Sequence, residues 1–135
     1  MSLRKHLPTA ARYLLGVPLV VFGLNGFFNL IPQPTPKTPP PEKMVAFVTA
    51  LMTSGYMMQL IAVTLLVSGV LLVLNRFVPL ALALFAPFIV NSIAFHLFLA
   101  PDGLAVAGVF LVLELYLAWA YRAAFKPMLA AKVTP

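Results

Sequence analysis

Glu114 stands well inside a long apolar run, and a carboxyl in that setting has more chemistry open to it than any other group in the chain. An ionised carboxylate in the hydrocarbon core of a bilayer costs about 3 kcal/mol on insertion scales and more on an isolated helix, so it must be neutral or partnered. Further polar residues interrupt the apolar runs. Asn25 and Asn29 are four apart and share one helix face with Pro18 and Phe22, a face expected to point inward. Asn91 and Ser92 precede His96, which is four residues beyond Ser92, and Gln59 enters its own run from the same side. Counting helical rise places Glu114 at roughly the depth of Asn91. Glu114, His96, Asn91, Asn25 and Asn29 are therefore the candidates for binding a ligand or handling a proton. A bland alternative stands beside each: a neutral Glu114 carboxyl bonded to Asn91 or a tyrosine, a His96 bonded to water or backbone, and asparagines that join helices by hydrogen bonds.

The chain excludes several chemistries by composition. It has no cysteine, so disulfides, thiolate nucleophiles and thiolate-held clusters are ruled out. The two histidines, His6 and His96, belong near opposite membrane faces and cannot jointly hold a haem or another metal. No phosphate-cradling glycine loop, hydrolase elbow or carboxylate pair is present, and no residue is singled out as catalytic. The balance of evidence in the residues leans against an intrinsic catalytic activity. A formal charge of +6 arises from basic residues at segment ends rather than from a continuous stripe, which fits membrane topology and not nucleic acid.

These residues are carried by four apolar segments. With 62% hydrophobic and 9% charged residues, the 135-residue chain must be solvated mainly by lipid. The spacing predicts an all-α integral membrane four-helix bundle, one domain over 1–135, with spans near 10–31, 56–74, 77–99 and 104–121. Arg4-Lys5-His6 before the first run imitates a secretory leader, but the run continues to Ile31 without a small-residue cleavage site and is expected to be an uncleaved span. Pro18 and Pro87 each deprive a carbonyl one turn earlier of its donor and favour a kink. Between the first two spans, Pro32 to Pro41 is dense in proline and reads as a stiff polyproline II connector outside the membrane. Residues 42–54 repeat apolar side chains at helical spacing and read as a short amphipathic helix at the interface, with Gly55 turning the chain into the bilayer. Asn75-Arg76 and Pro101-Asp102-Gly103 leave room only for tight turns.

Charge sets the expected orientation. Both termini and the Asn75-Arg76 turn on one side gather Arg4, Lys5, Arg12, Arg76, Arg122, Lys126 and Lys132 there, leaving Lys37 and Lys43 opposite. That asymmetry predicts N-in, C-in topology in a bacterial cytoplasmic (inner) membrane. Gly16, Gly23, Gly26, Gly69 and Gly108 are the expected points of close helix approach.

The order of these features resembles the DoxX family of small bacterial membrane proteins. The resemblance is carried by Arg12-Tyr13-Leu14-Leu15-Gly16, Phe22-Gly23-Leu24-Asn25-Gly26-Phe27, the proline-rich connector, Ser54-Gly55-Tyr56, and Asn75 through Leu82. It continues in Asn91, Phe95-His96-Leu97-Phe98 and Leu113 through Arg122, nearly the whole chain. It implies a four-helix membrane protein, some relatives of which are associated with quinone-linked oxidoreductase or oxidative-stress complexes, without implying one defined reaction. Similar proteins often carry a Lys and a Glu in the second span where this chain has Ala62 and Leu65. That departure leaves Glu114 as the one deep acidic residue.

Three functional classes follow. The leading expectation is an accessory membrane subunit of a redox system, with membrane partner proteins and a quinone or other apolar ligand in the outer half of the bundle. A second is a small proton-coupled carrier using Glu114, which at four spans would need a homo-oligomer. The third is a structural or assembly protein whose polar residues only join helices.

Overall fold

The computed structural model describes residues 5–134, and Arg4, counted above among the basic residues of one side, lies outside them. The main helices are α1 (Leu7–Phe28), α2 (Glu42–Thr53), α3 (Met57–Val73), α4 (Val78–Phe98) and α5 (Leu104–Ala120), followed by a single turn, α6 (Arg122–Phe125). Among the described residues there is no strand. The chain is an all-α membrane bundle, as its composition requires. α1, α4, and the stretch Pro101–Ala120 that ends in α5, are each long and apolar enough to cross a bilayer. α3 has 17 residues, about 26 Å of helix. It forms the fourth wall of the bundle, and α2 meets it at an angle of 87° across the break at Ser54–Tyr56. Gly55 makes that corner with φ +82°, a left-handed conformation that favours glycine. α2 buries none of its residues fully, consistent with a helix lying across the bundle end.

The ends of α1 and α3 show how local chemistry stops each helix. α1 ends at Phe28, short of the Ile31 expected from hydropathy, because Asn29 takes the left-handed conformation (φ 48°) and its N–H donates to the Asn25 carbonyl. The Asn25 side chain then accepts the Ile31 N–H at 2.7 Å. At the far end of α3, Asn75 (φ 54°) is the left-handed residue of a Schellman turn. There the Arg76 N–H donates to the Leu71 carbonyl at 3.0 Å and the Asn75 N–H to Leu72 at 3.2 Å.

Arg12 completes this terminus. It is 5% exposed, and its Nη1 donates to the Leu72 carbonyl at 2.7 Å. A guanidinium is thereby placed on the negative end of the α3 dipole, where cations stabilise helices. Arg12, expected only to mark one membrane side by its charge, is a buried cap joining the start of α1 to the end of α3.

α1 and α3 pack antiparallel through small residues, the arrangement that lipid-solvated helices use to gain van der Waals contact. A β-carbon on Gly69 would sit 2.7 Å from the Val20 nitrogen and 2.8 Å from the Gly16 oxygen, and one on Gly26 would sit 2.6 Å from the Ala62 β-carbon. Gly108, expected to serve likewise, has nothing within 4 Å of such a carbon. The inward face of α1 carries Ala11, Arg12, Leu15, Gly16, Leu19 and Gly23. The expected Pro18, Phe22, Asn25, Asn29 face is only partly inward: Phe22, though 44% exposed, packs edge-on against Phe110 of α5, Pro18 and Asn25 are half-buried, and Asn29 is exposed. Both faces are apolar because one meets helices and the other meets lipid, so hydrophobicity carries no directional signal there. Phe85, Leu82, Ile89, Leu72 and Leu117 fill the centre. The helices run as two antiparallel hairpins, so both described ends of the chain share one end of the bundle with the Asn75 turn. The proline segment, α2 and the Pro101–Gly103 turn occupy the other.

Candidate functional site

His96 lies in the last turns of α4, at the end that carries the proline segment. Its Nδ1 is 2.8 Å from the Ala100 carbonyl oxygen, so Nδ1 is the protonated donor and Nε2 of a neutral ring keeps its lone pair. The ring stacks edge-on against Phe95 and lies over Gly103, where any β-carbon would occupy the space of the imidazole. Glycine at 103 is therefore a condition for this ring position.

Three hollows meet at His96. The first, about 260 Å³, lies between α2, α3 and α4; Asn91, Ser92 and His96 face it from one helix, opposite Phe47, Leu51 and Met58. A second of about 430 Å³ runs under the proline segment, between Pro36–Pro41 and the Pro101–Gly103 turn. A third of about 180 Å³ reaches inward between α1, α4 and α5, lined by Phe22, Phe85, Phe88 and Phe110. Phe47 of α2 packs tilted against Phe95 with ring centroids 5.7 Å apart, so α2 forms one wall of the first hollow. Asn91 itself is exposed, reachable from the lipid side.

Glu114 occupies a separate place. It is 6% exposed, on the inward side of α5, and its Oε2 is buried without a hydrogen-bond partner. It lines a cleft of about 260 Å³ between α4 and α5 with Leu82, Ala83, Ala86, Leu115 and Ala118, all apolar. The expected bond from Glu114 to Asn91 or a tyrosine is not made: equal depth does not fix the direction around the bundle, and Asn91 opens toward α2 and α3. Among the described residues, Ser68 on α3 is the other buried side chain whose oxygen lacks a partner.

The candidates thus separate into three groups. His96 and Asn91 share one cleft, and Glu114 has another. Asn25 and Asn29 shape the end of α1 and line neither. Gln59 is exposed. Sequence reasoning missed Arg12 as a buried residue and Ser92 and Phe95 as lining residues. Arg12 could have been found from its place on the same face as Leu15, Gly16 and Leu19. Among the described residues no group of His, Asp and Glu could hold a metal ion.

A family model described as DoxX matches residues 7–97, two thirds of the chain. The chain belongs to the DoxX family. Neither the curated proteins nor the solved structures compared with it gave a match. The matched DoxX segment covers α1, α2, α3 and nearly all of α4, including Arg12, Asn91 and His96, and stops before α5 and Glu114. Ala62 and Leu65 on α3 are 2% and 6% exposed. Ala62 packs against Gly26, so the small residue at this point closes α1 onto α3.

Proposed function

We propose that this DoxX protein is an accessory membrane subunit of a quinone-linked redox system, and that the His96 cleft binds the head of a quinone. The observation that carries the reading is the meeting of three hollows at one histidine, whose Nδ1 is bonded to the Ala100 carbonyl. A quinone presents a flat ring with carbonyl acceptors. The cleft offers aromatic walls in Phe47, Phe88 and Phe95, the Asn91 amide and Ser92 hydroxyl as donors, and the His96 Nε2 lone pair as an acceptor for a quinol hydroxyl. The chain contributes binding and orientation, and membrane partner proteins supply the electrons. The clustering of Arg76, Arg122 and Lys126 at one end supports, by the positive-inside rule, a cytoplasmic position for them and a His96 cleft toward the outer face of a bacterial inner membrane.

Thermal unfolding of the purified protein with a decyl-quinone analogue tests this. At a concentration 100-fold above Kd, binding adds about 2.7 kcal/mol of apparent stability. That gain should vanish in His96→Leu and in Gly103→Ala, where the histidine remains but its ring is displaced. An equal gain in both variants would remove the reading.

A further inference from the structure

At the end of the bundle opposite His96, a groove of about 500 Å³ lies between the start of α1 and the end of α5. Leu7 and Pro8 line it from α1, and Tyr116, Trp119 and Arg122 from the other side. Arg122 is held in position there. Its Nη1 donates to the Trp119 carbonyl at 2.9 Å, and its guanidinium carbon lies over the Trp119 ring, 4.7 Å from the centroid. Trp119 in turn packs tilted against Tyr116, with ring centroids 6.2 Å apart. That bond uses one of the five N–H donors of the guanidinium, and this end supplies no acidic side chain for the others. Glu42 and Asp102 belong to the opposite end of the bundle, and Glu114 lines its own cleft within α5. Lys5 and Lys126, both exposed, add positive charge beside Arg122 at the same end. Beneath this cationic rim the surface is apolar. Leu7 is 51% exposed, and Val112, one turn deeper than Tyr116 on the same face of α5, is 65% exposed.

We infer that this groove is a binding site for an anionic phospholipid of the phosphatidylglycerol type, whose phosphodiester accepts from Arg122 while an acyl chain runs along Trp119 and Tyr116 toward Val112. Two phosphodiester oxygens match the planar fork of a guanidinium, and the contact to Trp119 holds that fork at the rim before any lipid arrives. The depth agrees, because Trp119 lies in the last turn of α5, where an indole marks the level of the headgroups. Charge selects among lipids. Phosphatidylethanolamine carries the same phosphate but adds an ammonium, which would meet Arg122, Lys5 and Lys126 and no acidic side chain. A soluble phosphate ester lacks the apolar body needed to cover Leu7 and Trp119. This groove shares no lining residue with the three hollows at His96, so the inference stands apart from the quinone reading. It is also independent of which way the bundle is inserted, since both leaflets of a bilayer are built of phospholipid.

Trp119 is the single tryptophan of the chain, so its fluorescence reports on this groove. The test reconstitutes the full chain in phosphatidylcholine vesicles holding a fixed minor fraction of phosphatidylglycerol or phosphatidylethanolamine with dibrominated acyl chains, which quench an indole on contact. The expected result is a preference of about fivefold for phosphatidylglycerol over phosphatidylethanolamine, the effect of one well-placed cation, falling to near parity in Arg122→Gln. Arg76→Gln removes the same charge at the same end of the bundle but outside the groove, and it should keep the preference. Equal losses in these two variants would mean a general attraction to a basic surface and would overturn the proposal. Ala120→Leu fills the groove with every charge kept, and the preference should fall there too, which decides the matter if Arg122→Gln fails to fold. An undiminished preference in Ala120→Leu, or relief of the quenching by millimolar glycerol phosphate, would equally overturn it.

Discussion

Gly69→Ala and Gly108→Ala should change stability in opposite directions, although both replace a helical glycine with the best helix former. Propensity alone favours each substitution by about 1 kcal/mol. At Gly108 nothing lies within 4 Å of the added carbon, so that gain is retained and the variant should be more stable by up to about 1 kcal/mol. At Gly69 the carbon would lie 2.7 Å from the Val20 nitrogen and 2.8 Å from the Gly16 oxygen. These are backbone atoms of α1 and cannot rotate aside. The helices must separate by several tenths of an ångström along a shared interface, and a gap of ~0.5–1 Å forfeits a quarter to a half of each contact. Overpacking costs about 1–3 kcal/mol, and a backbone collision belongs at or above the upper end. With the propensity gain subtracted, Gly69→Ala should be less stable by about 2 kcal/mol. Thermal unfolding in one detergent, followed by Trp119 fluorescence, gives the comparison directly. If Gly69→Ala is as stable as Gly108→Ala, the close packing of α1 on α3 is wrong.

Other expectations follow from single contacts. Asn25→Ala removes the acceptor of the Ile31 N–H and should destabilise the end of α1 by about 1 kcal/mol, seen as faster hydrogen exchange after Asn29, without altering ligand binding. Arg12→Ala removes the guanidinium from the Leu72 carbonyl and leaves a cavity between α1 and α3; a loss of about 2–4 kcal/mol is expected in thermal unfolding, and none would refute the buried cap. The chain has no cysteine, so a single cysteine at Lys37 or at Asn75 reports orientation cleanly. An impermeant maleimide added to intact cells should label the first and not the second, and the reverse pattern would invert the proposed topology.

The fold was largely legible because a bilayer forces long apolar helices and punctuates them with proline, glycine and asparagine. Gly55 and Asn75 stood out as turn residues, and both adopt positive φ. Direction around each helix was much less legible. In a soluble bundle the outward face is polar, whereas Val112 and Leu115 face outward from α5 and are as apolar as the buried Leu117. The small residues held the information instead, since Gly16 and Gly69 mark the α1–α3 seam. Asn25 and Asn29 misled because polar residues at four-residue spacing signal a face or a helix end alike, and the nearby Pro32 favours the end. Glu114 was legible as a deep carboxyl through cost alone, and its neighbours were not, because α4 and α5 come together only in the folded bundle.

Photoaffinity labelling with an azido-quinone, followed by peptide mapping, tests the central claim most directly. The account predicts saturable labelling within residues 47–58 of α2 and α3 and residues 88–96 of α4, abolished by excess unlabelled quinone and by His96→Leu. Label spread along the exposed outer faces of α1 and α5, unaffected by competitor or by that substitution, would contradict it.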